Sequence, residues 1–416
     1  MPKATNSTIL SLVPKFTGAS RITDYRPISC LNTIYKVISR LLVRRLKLIL
    51  HGLIVPNQTA FVEGRLLLEN TVLASELVNG YHKNKSSKKI TLKVDIAKAF
   101  DTLSWDFLLS ALESFNLPLP FLNLLKAWKR APRVLQILHE FELRSGLAVS
   151  MQKSSFFSSG LSEHEITAIE VSTGMQNSSL PMRYLGVPMC TKKLNLLNCE
   201  PLLQQIKARL SSWSAKSLSF AGRLLLIKTV ITGITTFWCS SFMLPTACIK
   251  RINSLCGIFL WHGTAEGHHS ARVSWETVTL TKAQGGLGVK DLLSWNRACI
   301  LKLIWLLFFR PDSVWVCWFK EVVLKGSLTN YWTVKPSVKY SWLANKLIKS
   351  RDLVYPLIKR RIGNGLTASF WHDNWSPFGN LTTFLAASTR RLGISKNATV
   401  GSLFSDDRWL LPPART

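Results

Sequence analysis

Acidic residues are scarce in this chain. It carries 23 Asp and Glu against 53 Lys and Arg, a formal net charge of +30 and a sequence pI of about 10.1. So large an excess excludes a cationic partner and points to a polyanion, with nucleic acid first. The deficit is uneven. No acid lies between Asp24 and Glu63, and none between Pro201 and Ala265, where Lys207, Arg209, Lys216, Arg223, Lys228, Lys250 and Arg251 supply all the formal charge. The eight cysteines include no Cys-x-x-Cys pair, which argues against a disulfide framework and suits reduced thiols in an intracellular compartment. Cys248, Cys256, His262 and His268 lie close in sequence, but their spacings match no common zinc pattern. No basic-then-apolar leader opens the sequence, and no polybasic cluster reads as a nuclear address. The long apolar run Leu224–Leu244 is interrupted by Lys228 and by Ser and Thr, so it reads as a buried helix and no membrane span is expected. Disorder is excluded by a composition that is 47% hydrophobic with 15 Trp and 20 Phe, and 416 residues leave room for two to four domains.

The stretch from Ile90 to Asp106 organises what is there. Ile90, Leu92 and Val94 alternate with Thr91, Lys93 and Asp95, the pattern of a half-buried strand that ends in a carboxylate facing away from the core side. Ser104 then caps a helix with Phe107, Leu108, Ala111, Leu112 and Phe115 at helical spacing and Asp106 in its first turn. A carboxylate just past a strand is a place for a cation ligand in phosphoryl-transfer enzymes, and it is also a common turn residue. Upstream, Ile34 to Leu50 forms an amphipathic helix. Ile34, Ile38, Leu41, Leu42, Leu46 and Ile49 share one face, and Lys36, Arg40, Arg44 and Lys47 the other, without acidic partners at i+4. That bare cationic face suits phosphate contact or simple solvation. Gln58–Arg65 is a Gly-containing turn, Leu66–Tyr81 a second helix, and 82–89 an exposed polar loop. Downstream, Pro201–Trp213 reads as an amphipathic helix opened by Pro, and Ser219 caps the next.

The wording of several stretches resembles one family. Lys93-Val-Asp-Ile-Ala-Lys-Ala-Phe-Asp101 closely resembles the first catalytic palm motif of reverse transcriptases from LINE-type (non-LTR) retrotransposons, plant ones in particular. Asp24-Tyr-Arg-Pro-Ile-Ser29 and Gln58-Thr-Ala-Phe-Val-Glu-Gly-Arg65 stand where that family's fingers motifs stand. Tyr184-Leu-Gly-Val-Pro188 matches its palm–thumb hairpin, and Gly285-Gly-Leu-Gly288 and Asn296-Arg-Ala are typical of its thumb. Ile362-Gly-Asn-Gly365 with Phe370-Trp-x-Asp-x-Trp375 resembles the connector before a Cys/His zinc-binding tail that this sequence does not contain. The resemblance implies an α+β, right-hand polymerase-like fold: fingers over 1–89, a truncated palm over 90–195, a helical thumb over 196–310 and a Trp-rich connector over 311–416. It implies that Asp95 binds the catalytic Mg²⁺, that Asp101 lies in the following turn, and that Arg26 and Arg65 contact template or nucleotide phosphate; the acid-free basic stretches add Lys36, Arg40, Arg44, Lys207 and Arg223 as candidate nucleic-acid contacts. Arg26 and Arg65 each have a structural alternative, bonding to backbone carbonyls.

The motif order then breaks. After the Pro118/Pro120 interruption and a helical Phe121–Trp128, the family continues through a Gln-Gly motif and a strand–turn–strand bearing Phe/Tyr-x-Asp-Asp. Here Lys129-Arg-Ala-Pro-Arg133 runs directly into Val134–Arg144 and then Ser145–Ser154, which resembles the palm motif that follows Asp-Asp. Two-metal nucleotidyl transfer clamps its ions between carboxylates of two palm strands, and Asp95 alone cannot do so. Glu140 and Glu142 lack a strand context, and Phe404-Ser-Asp-Asp407 copies the letters of the missing motif in the wrong place. The expectation is a degenerate RNA-directed DNA polymerase with template-directed nucleotidyl transfer lost. The alternatives are a non-catalytic basic RNA/DNA-binding remnant and an unstable gene-model product. The family implies RNA and DNA template-primer as partners, dNTP in intact relatives, and a nuclear location. The Trp residues (315, 318, 332, 342, 371, 375) could stack on bases, though packing is the commoner fate of tryptophan.

Overall fold

A computed structural model describes residues 8–15, 18–81, 88–97, 103–115, 117, 148–190, 192–212, 218–264, 271–385, 392–405 and 408–413. Asp101, Glu140, Glu142, His268, Asp406, Asp407 and the join at 129–134 lie outside those residues. The chain is α+β and divides into two compact units, 1–66 and 67–416.

In the first unit, β1 (Thr8–Pro14) and β2 (Tyr25–Leu31) form an antiparallel hairpin, with Thr8 opposite Leu31 and Pro14 opposite Tyr25. The helix α1 (Thr33–Leu53) follows at once, its start fixed by the Asn32 side chain, which accepts from Tyr35 N–H at 2.9 Å. Leu42 is buried and Ile38, Leu46 and Ile49 are half-buried, but Ile34 and Leu41, expected on the same face, are exposed. The reason is geometric. The buried stripe runs through 35, 38, 42, 46, 49 and 53, and Ile34 and Leu41 fall off its edge.

The second unit begins with α2 (Leu67–Leu77), which the expected division placed with the fingers up to residue 89. Val72 and Val78 are buried here, and α2 packs on residues far down the chain. The small sheet has the order β3 (Lys89–Lys93), β6 (Ser155–Ser159), β7 (Gln176–Asn177), with β3 antiparallel and β7 parallel to β6. Beside it β4 (Ile96–Ala97) pairs with β5 (Ala148–Val149). The expected cap holds: Ser104 Oγ accepts from Phe107 N–H at 3.3 Å and opens α3 (Trp105–Ser114). Ser162 and Glu165 cap α4 (Glu163–Thr173) reciprocally.

The Tyr184–Pro188 stretch is a hairpin. β8 (Met182–Tyr184) and β9 (Val187–Met189) are joined by Leu185 and Gly186, both at positive φ (51° and 86°), a two-residue turn in which glycine relieves half the strain. Helices then dominate: α5 (Glu200–Ser212), α6 (Phe220–Ser241, with a π turn at Ile227–Ile231), α7 (Thr246–His262) and α8 (Leu292–Phe309). By length and composition alone α6 and α8 could cross a membrane, but both feed a core that also takes in Val78, Phe157, Met189, Leu202, Ile206, Leu210 and Phe259. The C-terminal region adds α9 (Val314–Val322), α10 (Trp342–Lys349) and α11 (Leu381–Leu385), and a minimal hairpin of β10 (Phe404–Ser405) and β11 (Arg408–Trp409).

The orientation of β3 differs from the expectation. Ile90, Leu92 and Val94 are 47%, 56% and 51% exposed, while Thr91, Lys93 and Asp95 are half-buried. Register decides this. Thr91 lies opposite Phe157, whose ring belongs to the main core, and the Thr91 hydroxyl is matched to that side by Tyr81 Oη at 2.7 Å. Asp95 is therefore on the half-buried side of its strand and not turned away from the core.

Candidate functional site

Asp95 stands in the two-residue gap between β3 and β4, held from both directions by the segment that follows the break in the motif order. Its carbonyl accepts from Ser150 N–H at 2.6 Å, and its own N–H donates to Ser154 Oγ at 3.0 Å. The pairing of β4 with β5, Ile96 opposite Val149, extends the same zipper. Lys153 comes with this segment, and its Nζ lies 3.8 Å from Asp95 Oδ2, both side chains well solvated. The carboxylate thus faces an ammonium group. β6, hydrogen-bonded to β3 along its length, contributes Ser155, Phe156, Phe157, Ser158 and Ser159, with no acid.

Among the described residues no group of three or more His, Cys, Asp or Glu could hold a metal ion. One carboxylate, one serine hydroxyl and one lysine do not fit a pair of Mg²⁺ ions, which need bridging anionic oxygens and no competing cation. Cys248 and Cys256 are buried inside α7, all eight cysteines are free, and the Cys256 thiol is pushed up to about 12 by burial, so these behave as small core residues.

The expected nucleic-acid contacts separate into two kinds. Lys36, Arg40 and Arg44 lie along the exposed face of α1, and Arg26 is exposed on β2. None of the four has an ion-pair or side-chain hydrogen-bond partner among the described residues. The next cation on that face, Lys47, pairs with Glu63 at 3.3 Å. Lys207 is half-buried on α5.

Arg65 and Arg223 are bonded to main-chain oxygens. Arg65 donates from Nη1 to the carbonyls of Val55 (2.6 Å) and Gln58 (2.7 Å), and from Nη2 to that of Ile54 (2.6 Å). It staples the loop after α1 to itself. Arg223 donates from Nε to Leu218 O and from Nη1 to Leu260 O, both at 3.1 Å, so it ties the start of α6 to the open carbonyls at the end of α7. Both guanidinium groups are thereby engaged within the protein.

Two further motifs are structural. Asn296 is buried, accepts from Leu244 N–H at 2.7 Å, and donates to Cys239 O (2.9 Å) and Phe242 O (2.7 Å), clamping the end of α6. In the Phe370–Trp375 motif, Asp373 is buried against Arg360 at 3.0 Å and accepts from Ser369 N–H, while the Trp371 and Trp375 indoles donate to the Ser395 and Phe370 carbonyls. Gly365, at φ +71°, lies so close to Gly401 that a Cβ there would meet Gly401 N at 2.6 Å, which accounts for glycine in the Ile362–Gly365 motif. Trp315, Trp332 and Trp371 are buried, so packing takes three of the six tryptophans considered for stacking.

Sequence reading missed two buried acids on α2. Glu76 accepts from Ser341 Oγ at 2.5 Å, and Ser341 is the N-cap of α10. Burial outweighs that hydrogen bond and raises the carboxyl to about 7. Glu69, one heptad earlier, is raised by burial against the lowering effects of the Ser313 hydroxyl and Arg310, and Ser313 is the N-cap of α9. A heptad spacing of Glu beside Leu, Val and Ala was the available signal, but nothing local names the serines more than 240 residues away.

Residues 13–130 match the reverse transcriptase (RNA-dependent DNA polymerase) family. The match ends one residue after Lys129, where the motif order breaks. A putative ribonuclease H protein of Arabidopsis thaliana is 32% identical over 190 residues, 45% of this chain and 31% of the relative. The transposon TX1 uncharacterized 149 kDa protein of Xenopus laevis is 30% identical over 126 residues, 30% of this chain and 10% of the relative. An uncharacterized mitochondrial protein of Arabidopsis thaliana is 25% identical over 137 residues, 33% of this chain and 88% of its own length. The aligned stretch thus spans less than a third of the first two relatives.

Proposed function

We propose that this chain, which belongs to the LINE-type (non-LTR) retrotransposon reverse transcriptase family, is a degenerate member that holds RNA or DNA and does not extend a primer. The observation that carries the reading is the setting of Asp95. The segment after the break supplies Ser150, Lys153 and Ser154 around it. Two-metal transfer requires a second strand of carboxylates at that place, because each ion must balance charge on the attacking and leaving oxygens. A lysine there offers charge of the wrong sign.

Binding is a separate property, carried by cations and not by the palm. The exposed Lys36, Arg40 and Arg44 on α1, with Arg26 and Lys207, are the residues we assign to phosphate contact, with RNA and DNA as the partners. Primer extension on RNA and DNA templates with Mg²⁺ and dNTPs tests the first half. The expected result is no incorporation by a protein that still shifts the template-primer. Incorporation that Asp95→Ala abolishes would overturn the claim of lost activity.

A further inference from the structure

We propose that the C-terminal region contains a stacking site for an unpaired nucleobase, formed by Phe378 and Phe384 at the rim of a cavity backed by Trp332 and Tyr355. This deepens the nucleic-acid reading above and rests on it. The two phenylalanine rings stack on each other with centroids 4.6 Å apart and planes at 26°, yet they are 60% and 56% exposed. Neither joins the local core of Phe370, Trp371, Leu381, Ala398 and Leu403. Single exposed apolar side chains are ordinary. A stacked pair flanking an open cavity of about 500 Å³ is a different feature, and that volume falls among ligand sites of roughly 300–1,000 Å³. Trp332 and Tyr355 meet edge to face at 4.8 Å, and the Tyr355 hydroxyl is anchored on His372 O at 3.1 Å, so the back wall is rigid.

The polar lining selects the ligand. Asp352 and Asn380 stand at the same cavity, offering a carboxylate and, since Asn380 Oδ1 accepts from Thr383 N–H at 3.2 Å, the N–H side of an amide to the edge of a flat ring. The Asp352 charge disfavours a phosphate inside the cavity and suits the exocyclic amino group of a base. Arg351 lines it too, but its guanidinium is taken up by the carbonyls of Trp332, Val334 and Ile348. Outside, with Arg351 and Arg360 engaged within the protein, the segment from Lys346 to Arg361 still carries Lys346, Lys349, Lys359 and Arg361 against the single acid Asp352. A polyanionic backbone can follow that surface while one base leaves it to stack. A cationic or neutral peptide gains nothing from the same charge.

The test uses the full chain and two fluorescent oligonucleotides of equal length and charge, oligo-dC and its abasic counterpart. Base–aromatic stacking predicts that the abasic strand binds about ten-fold more weakly. Phe378→Ala with Phe384→Ala should remove that preference and leave the salt dependence unchanged, while Phe378→Tyr with Phe384→Tyr should keep it. Irradiation of a 5-iodocytosine oligonucleotide bound to the wild-type protein should cross-link peptides containing Phe378, Phe384 or Tyr355, a readout that does not depend on the double alanine variant folding. Salt-dependent binding with no base preference, or cross-links confined to other peptides, overturns the stacking site alone. No binding of either strand overturns the nucleic-acid reading with it.

Discussion

At the scale of single residues, identity and role separate most clearly for arginine and asparagine. Arg26 and Arg65 stand in neighbouring motifs, yet one is exposed without a partner among the described residues and the other is enclosed by three main-chain carbonyls. A guanidinium fork fits phosphate and a ring of carbonyls equally well, so spacing alone cannot separate the two outcomes. Asn296 is the opposite case, a motif residue whose whole hydrogen-bonding capacity is used inside the protein. Asn296→Ala leaves the Leu244 N–H and two carbonyls unsatisfied in a buried place, and is expected to cost about 3 kcal/mol of stability. Urea unfolding followed by tryptophan fluorescence measures it. A loss under about 1 kcal/mol would mean that water replaces the amide and that the clamp is not a structural requirement. The capping serines were legible because a cap is a local event: Ser104 and Ser219 accept from N–H groups three residues on. The partners of Asp95 were not, since they come from a segment more than fifty residues away.

At the scale of elements, α2 joins parts of the second unit that lie far apart in sequence. Glu69 and Glu76 share one face, each beside the N-cap serine of a different C-terminal helix, where the helix dipole favours negative charge. Burial opposes it, and for Glu76 burial wins, raising its carboxyl from 4.5 to about 7. A raised carboxyl binds its proton more tightly in the folded state. Its stabilising effect is therefore complete below about 4.5 and is lost as pH rises through about 7, by about 3 kcal/mol in all. Glu76→Gln keeps an acceptor for Ser341 and carries no charge at any pH. Its Tm should equal the wild type's near pH 4.5 and exceed it at pH 8, with the difference opening between those values. Parallel Tm curves for the two proteins would show that Glu76 stays ionised in the fold. β3 shows the limit of pattern reading at this scale. Alternation revealed two faces, but which one meets the core depends on the register with β6, where Thr91 falls opposite Phe157. Helices were read more securely: Leu202, Ile206 and Leu210 line the buried face of α5 as their spacing requires.

For the whole molecule, the break in the motif order and the surplus of charge are independent features. The break was legible because an ordered series of motifs stops at a definite residue, and the family match stops beside it. What the chain does around the break was not legible, because zipping Ser150–Ser154 onto Asp95 is a tertiary event that no local periodicity encodes. Charge does not depend on the order of those motifs, since cations on the surface of α1 need only the helix beneath them. Each Lys or Arg that neutralises a phosphate contributes about 0.7 to the slope of log K against log salt for a single strand. Replacing Lys36, Arg40 and Arg44 together by Gln should lower that slope by about 2 while leaving the helix intact, since Gln is close to Lys and Arg in helix propensity. Titration of the full chain with a fluorescent single-stranded RNA at several salt concentrations gives the slope directly. An unchanged slope would place the phosphate path elsewhere on the molecule and leave that face of α1 to solvent.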